Sequence, residues 1–186
     1  FEIDDRSKAG LAVQKAFLKD DSVGKLLRLD YRPRTGPMRK LRVKLEVDTN
    51  PPEGAQYEVR TLDFPFPSPV RVHDLPSLFA GKLHALLCRE YMKGRDWYDF
   101  IWYTANRTPV NYELLHTSLM QTGPWQGQAL DVDSEWCVTA LRTIVETIDW
   151  KRAAADVMPF IKPNEQPSLE FWSKELFLTQ SAKMAE

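Results

Sequence analysis

The clearest pattern in the chain is an alternation, Leu41-Arg42-Val43-Lys44-Leu45-Glu46-Val47-Asp48. Its apolar residues fall on one side of a period of two, and Arg42, Lys44, Glu46 and Asp48 on the other. The run therefore predicts a half-buried β-strand with every charge on one face. Leu26 to Tyr31 and Tyr57 to Leu62 read as further strands, set apart by the turn residues Pro33, Gly36 and Pro37 and by Asn50-Pro51-Pro52 with Gly54. Phe64-Pro65-Phe66-Pro67-Ser68-Pro69 must run extended, because proline continues neither a helix nor a central ladder, and Val70-Arg71-Val72 is a short strand. Ahead of all these, Leu11, Val13, Ala16, Phe17 and Leu18 follow Ser7 as a cap and predict a helix over residues 7–22.

From Asp74 onward the period changes to three and four. Asp74 is placed to cap a helix with Pro76 in its first turn. Helices are expected near 75–92, 95–106, 110–121, 133–148, 151–158 and 167–180, punctuated by Pro109, Gly123-Pro124, Pro163 and Pro167. Strands first and helices after indicate an α+β protein. The expected architecture is a small, mostly antiparallel sheet within an α/β region over 1–73, with a helical bundle over 74–186 packed on it.

Composition narrows this picture. With 186 residues, 43% of them hydrophobic and 27% charged, the chain has the balance of a globular domain with a real core. Nothing approaches the run of apolar residues that a transmembrane helix needs, and the start, Phe1-Glu2-Ile3-Asp4-Asp5, is not a secretory signal. Opening on Phe rather than Met, the chain is expected to be a processed or partial product. Cys88 and Cys137 are the only cysteines and form no C-x-x-C pair. That leaves no zinc ribbon or disulfide framework and suits a reducing cytoplasm.

A net charge of −1 gives no bulk attraction for nucleic acid. Locally, however, Lys25, Arg28, Arg32, Arg34, Arg39, Lys40, Arg42 and Lys44 face only Asp30 across twenty positions. Such a ribbon either attracts phosphate or guards an exposed sheet edge against aggregation.

Three constellations bear on chemistry. Glu46 and Asp48 share a strand face, a rigid mount for magnesium ligands, although exposed strands often alternate Lys and Glu for solubility alone. In the helix beginning near Leu75, the buried stripe should run Leu75, Leu78, Phe79, Lys82, Leu86, which puts a lysine among apolar residues. Either its ammonium escapes along its own stem to water, or it reaches a phosphate or acid from a sheltered wall. Finally, Arg95-Asp96-Trp97-Tyr98-Asp99-Phe100 opens the next helix after Gly94. Asp96 reads equally as its cap or as a working acid. Asp99, three residues on, lies on the same side, where it would pair with Lys82 or Arg95 or act as a base. There is no P-loop, no His-x-x-x-His pair and no Ser-His arrangement.

In this order, Lys44-Leu45-Glu46-Val47-Asp48, Leu78-Phe79-Ala80-Gly81-Lys82-Leu83-His84-Ala85 and Arg95-Asp96-Trp97-Tyr98-Asp99-Phe100 resemble the AbiEii/AbiGii toxin family of the DNA polymerase β nucleotidyltransferase superfamily. Asp156-Val157-Met158-Pro159-Phe160 and the later Phe171-Trp172 resemble the family's ending, so the likeness spans nearly the whole chain. The resemblance implies transfer of NMP from an NTP to an acceptor such as tRNA or another RNA, with Mg2+, by a toxin opposed by a cognate antitoxin. It implies Glu46 as a metal carboxylate with Asp48 as runner-up, and Lys44, Arg42 and Arg95 on the substrate side. Lys82 would lie on the nucleotide phosphates, and Asp96 or Asp99 would be the acid of the last motif. The superfamily's glycine turn and Asp-x-Asp strand do not occur here. A truncated form, inactive alone, is therefore expected, with a degenerate RNA- or protein-binding module as the alternative.

Overall fold

The computed structural model describes residues 2–5, 13–20 and 41–185, with side chains from residue 47 onward. The protein is α+β, as its period change predicts, and divides into two compact units, Phe1–Pro51 and Pro52–Glu186.

The first unit holds an antiparallel sheet of β1 (Glu2–Asp5), β2 (Val13–Asp20) and β3 (Leu41–Asp48), with β2 in the centre. β3 has the bounds its alternation predicts. Its register sets Glu46 opposite Lys15, Lys44 opposite Phe17 and Arg42 opposite Lys19. The helix expected over 7–22 is not formed where the chain is described, because Val13–Asp20 is a strand. Ala16, Leu18 and the lysines are good helix formers, but a segment hydrogen-bonded on both edges gains more as a central strand than propensity alone gives to a helix. The strand expected at Leu26 to Tyr31 and most of the basic ribbon lie outside the described residues.

In the second unit, β4 (Tyr57–Leu62) and β5 (Ser68–His73) form a hairpin, longer than the three residues expected for its second strand. This hairpin is tied to the helices that follow it. The Gln56 N–H donates to Ser77 Oγ at 3.0 Å, Asn111 Nδ2 donates to the Gly54 carbonyl at 2.9 Å, and the Asp74 N–H donates to the Gln56 carbonyl at 3.1 Å. There follow α1 (Leu75–Cys88), α2 (Gly94–Ala105), α3 (Tyr112–Gln121), α4 (Ser134–Val145), α5 (Trp150–Val157) and α6 (Lys174–Ala182). Most start on a side chain that accepts a hydrogen bond from the first turn: Asp74, Asn111, Asp133, Asp149 and Ser173. No described helix is long and apolar enough to cross a membrane.

The core of this unit runs through all six helices, with Phe79, Leu83, Trp97, Phe100, Leu115, Leu141, Val157 and Phe177 fully or almost fully buried. Trp150 stacks on Phe177 at 3.9 Å, and Trp97 meets both edge-on at 5.2 and 5.3 Å. Burial turns α1 away from the stripe expected of it. Leu75 and Leu78 are exposed, and the buried side is Ser77, Phe79, Ala80, Leu83, Leu86 and Leu87. Ser77 is drawn inward by its bonds to Gln56 and Asn111, and that rotation leaves Lys82 at the margin of the core rather than in its middle.

α2 has no capping side chain of its own. Asp156 of α5 supplies one, accepting the Gly94 N–H at 2.8 Å. The two helices approach so closely there that a Cβ on Gly94 would run into the Ala153 carbonyl and lie 2.8 Å from Val157 Cγ2. Gly94→Ala should therefore lower stability by about 1–3 kcal/mol, the usual cost of overpacking. Urea unfolding should show a lower midpoint at unchanged slope, and an unchanged midpoint would mean that α5 does not press on α2 as described.

Candidate active site

Lys82 lies in the third turn of α1, and α2 brings two acids to it. Its Nζ donates to Asp96 Oδ1 at 2.8 Å and pairs with Asp99 Oδ2 at 2.7 Å. The three-residue spacing of the acids puts both on the side of α2 that meets α1, as the sequence predicts. Asp96 proves not to be the cap of its helix. Its side chain is only 6% exposed, and its second oxygen takes Arg89 Nη1. One buried carboxylate thus holds two cations, one from α1 and one from the residue that follows it. Asp99, whose side chain is 47% exposed, holds Lys82 from the solvent side.

Arg89 is the residue that the motif reading misses. It stands just past the end of α1, seven positions after Lys82, and two helical turns return it to the same side. That spacing was the available signal. On its side of Asp96 opens a cavity of about 340 Å3, with Arg89, Tyr91, Lys93, Trp97, Asp149 and Arg152 in its lining. Asp156 is likewise legible in the sequence only as part of an ending, yet it fixes the start of the helix that carries both acids.

Burial of Lys82 by itself would push its ammonium toward neutrality. The hydrogen bonds and charges of Asp96 and Asp99 outweigh that and hold it above its ordinary value of 10.5. It is therefore a cation at neutral pH. Burial pushes the Cys88 and Cys137 thiols up to about 11 and about 12, so neither is a nucleophile there.

The other predicted residues fall elsewhere. Arg95 does not pair with Asp99; its guanidinium lies over the Phe160 ring, 4.2 Å from the centroid. Asp48 is exposed and its Oδ1 accepts the Asn50 N–H at 3.0 Å. Arg42, Lys44 and Glu46 alternate along β3 with Asp48, and their side chains lie outside the described residues. Among the described residues no group of three His, Cys, Asp or Glu could hold a metal ion. The two oxygens of Asp96 each hold a cation. Glu46 and Asp48, the carboxylates expected to hold magnesium, stand two positions apart in the same strand.

Residues 3–177 match the family described as nucleotidyl transferase AbiEii toxin of type IV toxin–antitoxin systems. The chain belongs to this family. No curated protein and no solved structure matches it.

The two acids should separate in stability. Asp96→Asn should cost about 1–3 kcal/mol, because two partly buried cations lose their common partner. Asp99→Asn should cost less than about 1 kcal/mol, because its exposed carboxylate is screened by water. Equal losses in urea unfolding would refute this division. The sign for Lys82 follows from its raised value: its contribution is complete below pH 10.5 and is lost as pH rises through the higher folded value. The stability difference between the wild type and Lys82→Met should accordingly stay level up to that pH and shrink above it.

Proposed function

We propose that this protein serves a magnesium-dependent transfer of NMP from an NTP to an RNA acceptor such as a tRNA end, and that Lys82 is its phosphate-binding cation. The observation that carries the reading is the ammonium held between a buried and a half-exposed carboxylate. A lysine placed at the margin of a core is costly unless its charge is used, and here it is kept ionised and fixed in direction. Family membership supports the same chemistry in its coarser form.

In this reading the acceptor hydroxyl forms a new bond to the α-phosphorus, the α–β phosphoanhydride breaks, and pyrophosphate leaves. Lys82 balances phosphate charge in that step. Asp96 acts as a positioning residue, since both its oxygens hold cations and its side chain is almost fully buried. Asp99 is the accessible acid; it gives up part of its hold on Lys82 when phosphate arrives, and it faces the acceptor. Glu46 and Asp48 are the carboxylates offered to Mg2+, with Lys44 and Arg42 of the same strand on the substrate side. The ion, when bound, neutralises phosphate charge. A cognate antitoxin is the expected protein partner.

The test is incorporation of label from an α-labelled NTP into RNA by the full-length protein. Lys82→Ala should lower kcat/KM about 100-fold or more, and Glu46→Ala should remove the response to magnesium. Full activity in Lys82→Ala would end the proposal. Salt-sensitive RNA binding that ignores magnesium and survives Glu46→Ala, with no incorporation, would replace it by a non-enzymatic binding module.

A further inference from the structure

α2 presents outward a stripe of which the proposed chemistry uses only Asp99. Arg95, Tyr98, Asp99 and Trp102 are spaced by three, four and seven, so they share one side of the helix over about 10.5 Å. Trp102 is 47% exposed although large apolar rings normally go inside. Its ring is steadied edge-on by Tyr103 at 5.1 Å, and Tyr103 in turn stacks on buried Phe79 at 4.6 Å. At the other end Phe160, 62% exposed, carries the Arg95 guanidinium over its ring. Between the two ends sits the Lys82–Asp99 pair, with the Tyr98 hydroxyl donating to Glu165 Oε2 at 3.5 Å.

We propose that this stripe docks a single-stranded RNA end, with bases stacking on Phe160–Arg95 and on Trp102. The inference rests on the transferase reading only in naming that strand as the acceptor. The chemistry of the stripe selects the ligand. Aromatic rings interleaved with the cations Arg95 and Lys82, which can meet phosphates between the carboxylates of Asp99 and Glu165, suit flat bases strung on a charged backbone better than the apolar centre of a protein partner. A guanidinium lying on a ring extends that ring into a wider platform, and bases stack on guanidinium planes as they do on aromatics. Only unpaired bases offer both faces, which excludes a continuous duplex. The strand would pass over the Lys82–Asp99 pair, bringing its terminal hydroxyl to the acid that Proposed function leaves accessible.

The experiment is fluorescence anisotropy with a labelled single-stranded RNA of about 12 nucleotides, in the absence of NTP. Phe160→Ala and Trp102→Ala should each raise Kd about 5- to 100-fold, the range expected for one lost stacking contact. Phe160→Tyr, which keeps the ring, should bind like the wild type. So should Phe66→Ala, which removes an exposed ring from the loop between β4 and β5. A blunt RNA duplex should bind more weakly than the single strand. Wild-type affinity in both alanine variants, equal affinity for the duplex, or no binding by the wild type would each overturn the inference. Because binding is read without NTP, its failure is distinct from failure of transfer. Transfer with an unchanged KM for RNA in both variants would overturn the stripe and leave Lys82 in its role. Loss of binding in a protein that transfers nothing would uphold the stripe and remove the transferase.

Discussion

The carboxylate of Asp96 is the constraint on which the rest of the candidate site depends. Buried against two helices, it has one oxygen on the Lys82 ammonium and the other on the Arg89 guanidinium. Two cations brought together on one side of α1 would repel each other, and neither is deep enough in the core to be held by packing. A single shared anion between them turns repulsion into a clamp, and it fixes the separation of α1 and α2 at the same time. Asp99 adds a second anion at the water-facing edge, so the cluster of two cations and two anions is balanced as a whole while staying polar toward solvent.

Helix geometry explains why this cluster needs so little sequence. The seven-residue step from Lys82 to Arg89 and the three-residue step from Asp96 to Asp99 are both whole or nearly whole numbers of turns. Facing stripes on two adjacent helices then meet, and only Arg89, the residue just past the end of α1, comes from outside them. The cores of the same helices are filled by Phe79, Leu83, Trp97 and Phe100, so the polar side of each is registered by the packing of its apolar side.

Much of this is legible in the sequence. Strict alternation identified β3 because period two has no helical counterpart, and a charge where an apolar residue was expected singled out Lys82, with Asp99 as one of its possible partners. What was not legible depends on partners distant in sequence. Val13–Asp20 is helix-compatible in isolation and becomes a strand through pairing with β1 and β3. Leu75 and Leu78 look like core by spacing, yet Ser77 takes the inward position through hydrogen bonds to Gln56 and Asn111. Asp96 resembled a cap by its place near the helix start. Its true partners could be told only once Asp156 was seen to cap that helix from α5.

That long-range cap has a bearing on synthesis. A chain emerging from the ribosome exposes α1 and α2 well before it exposes residue 156, and until then the amino end of α2 has no acid to close it and no α5 to lean on. The helix bearing both acids is then unanchored at its first turn, which weakens the frame on which the lysine–carboxylate cluster rests. For a member of a toxin family, this order of assembly ties the anchoring of the acid-bearing helix to the presence of α5, so a product ended before residue 156 lacks that anchor.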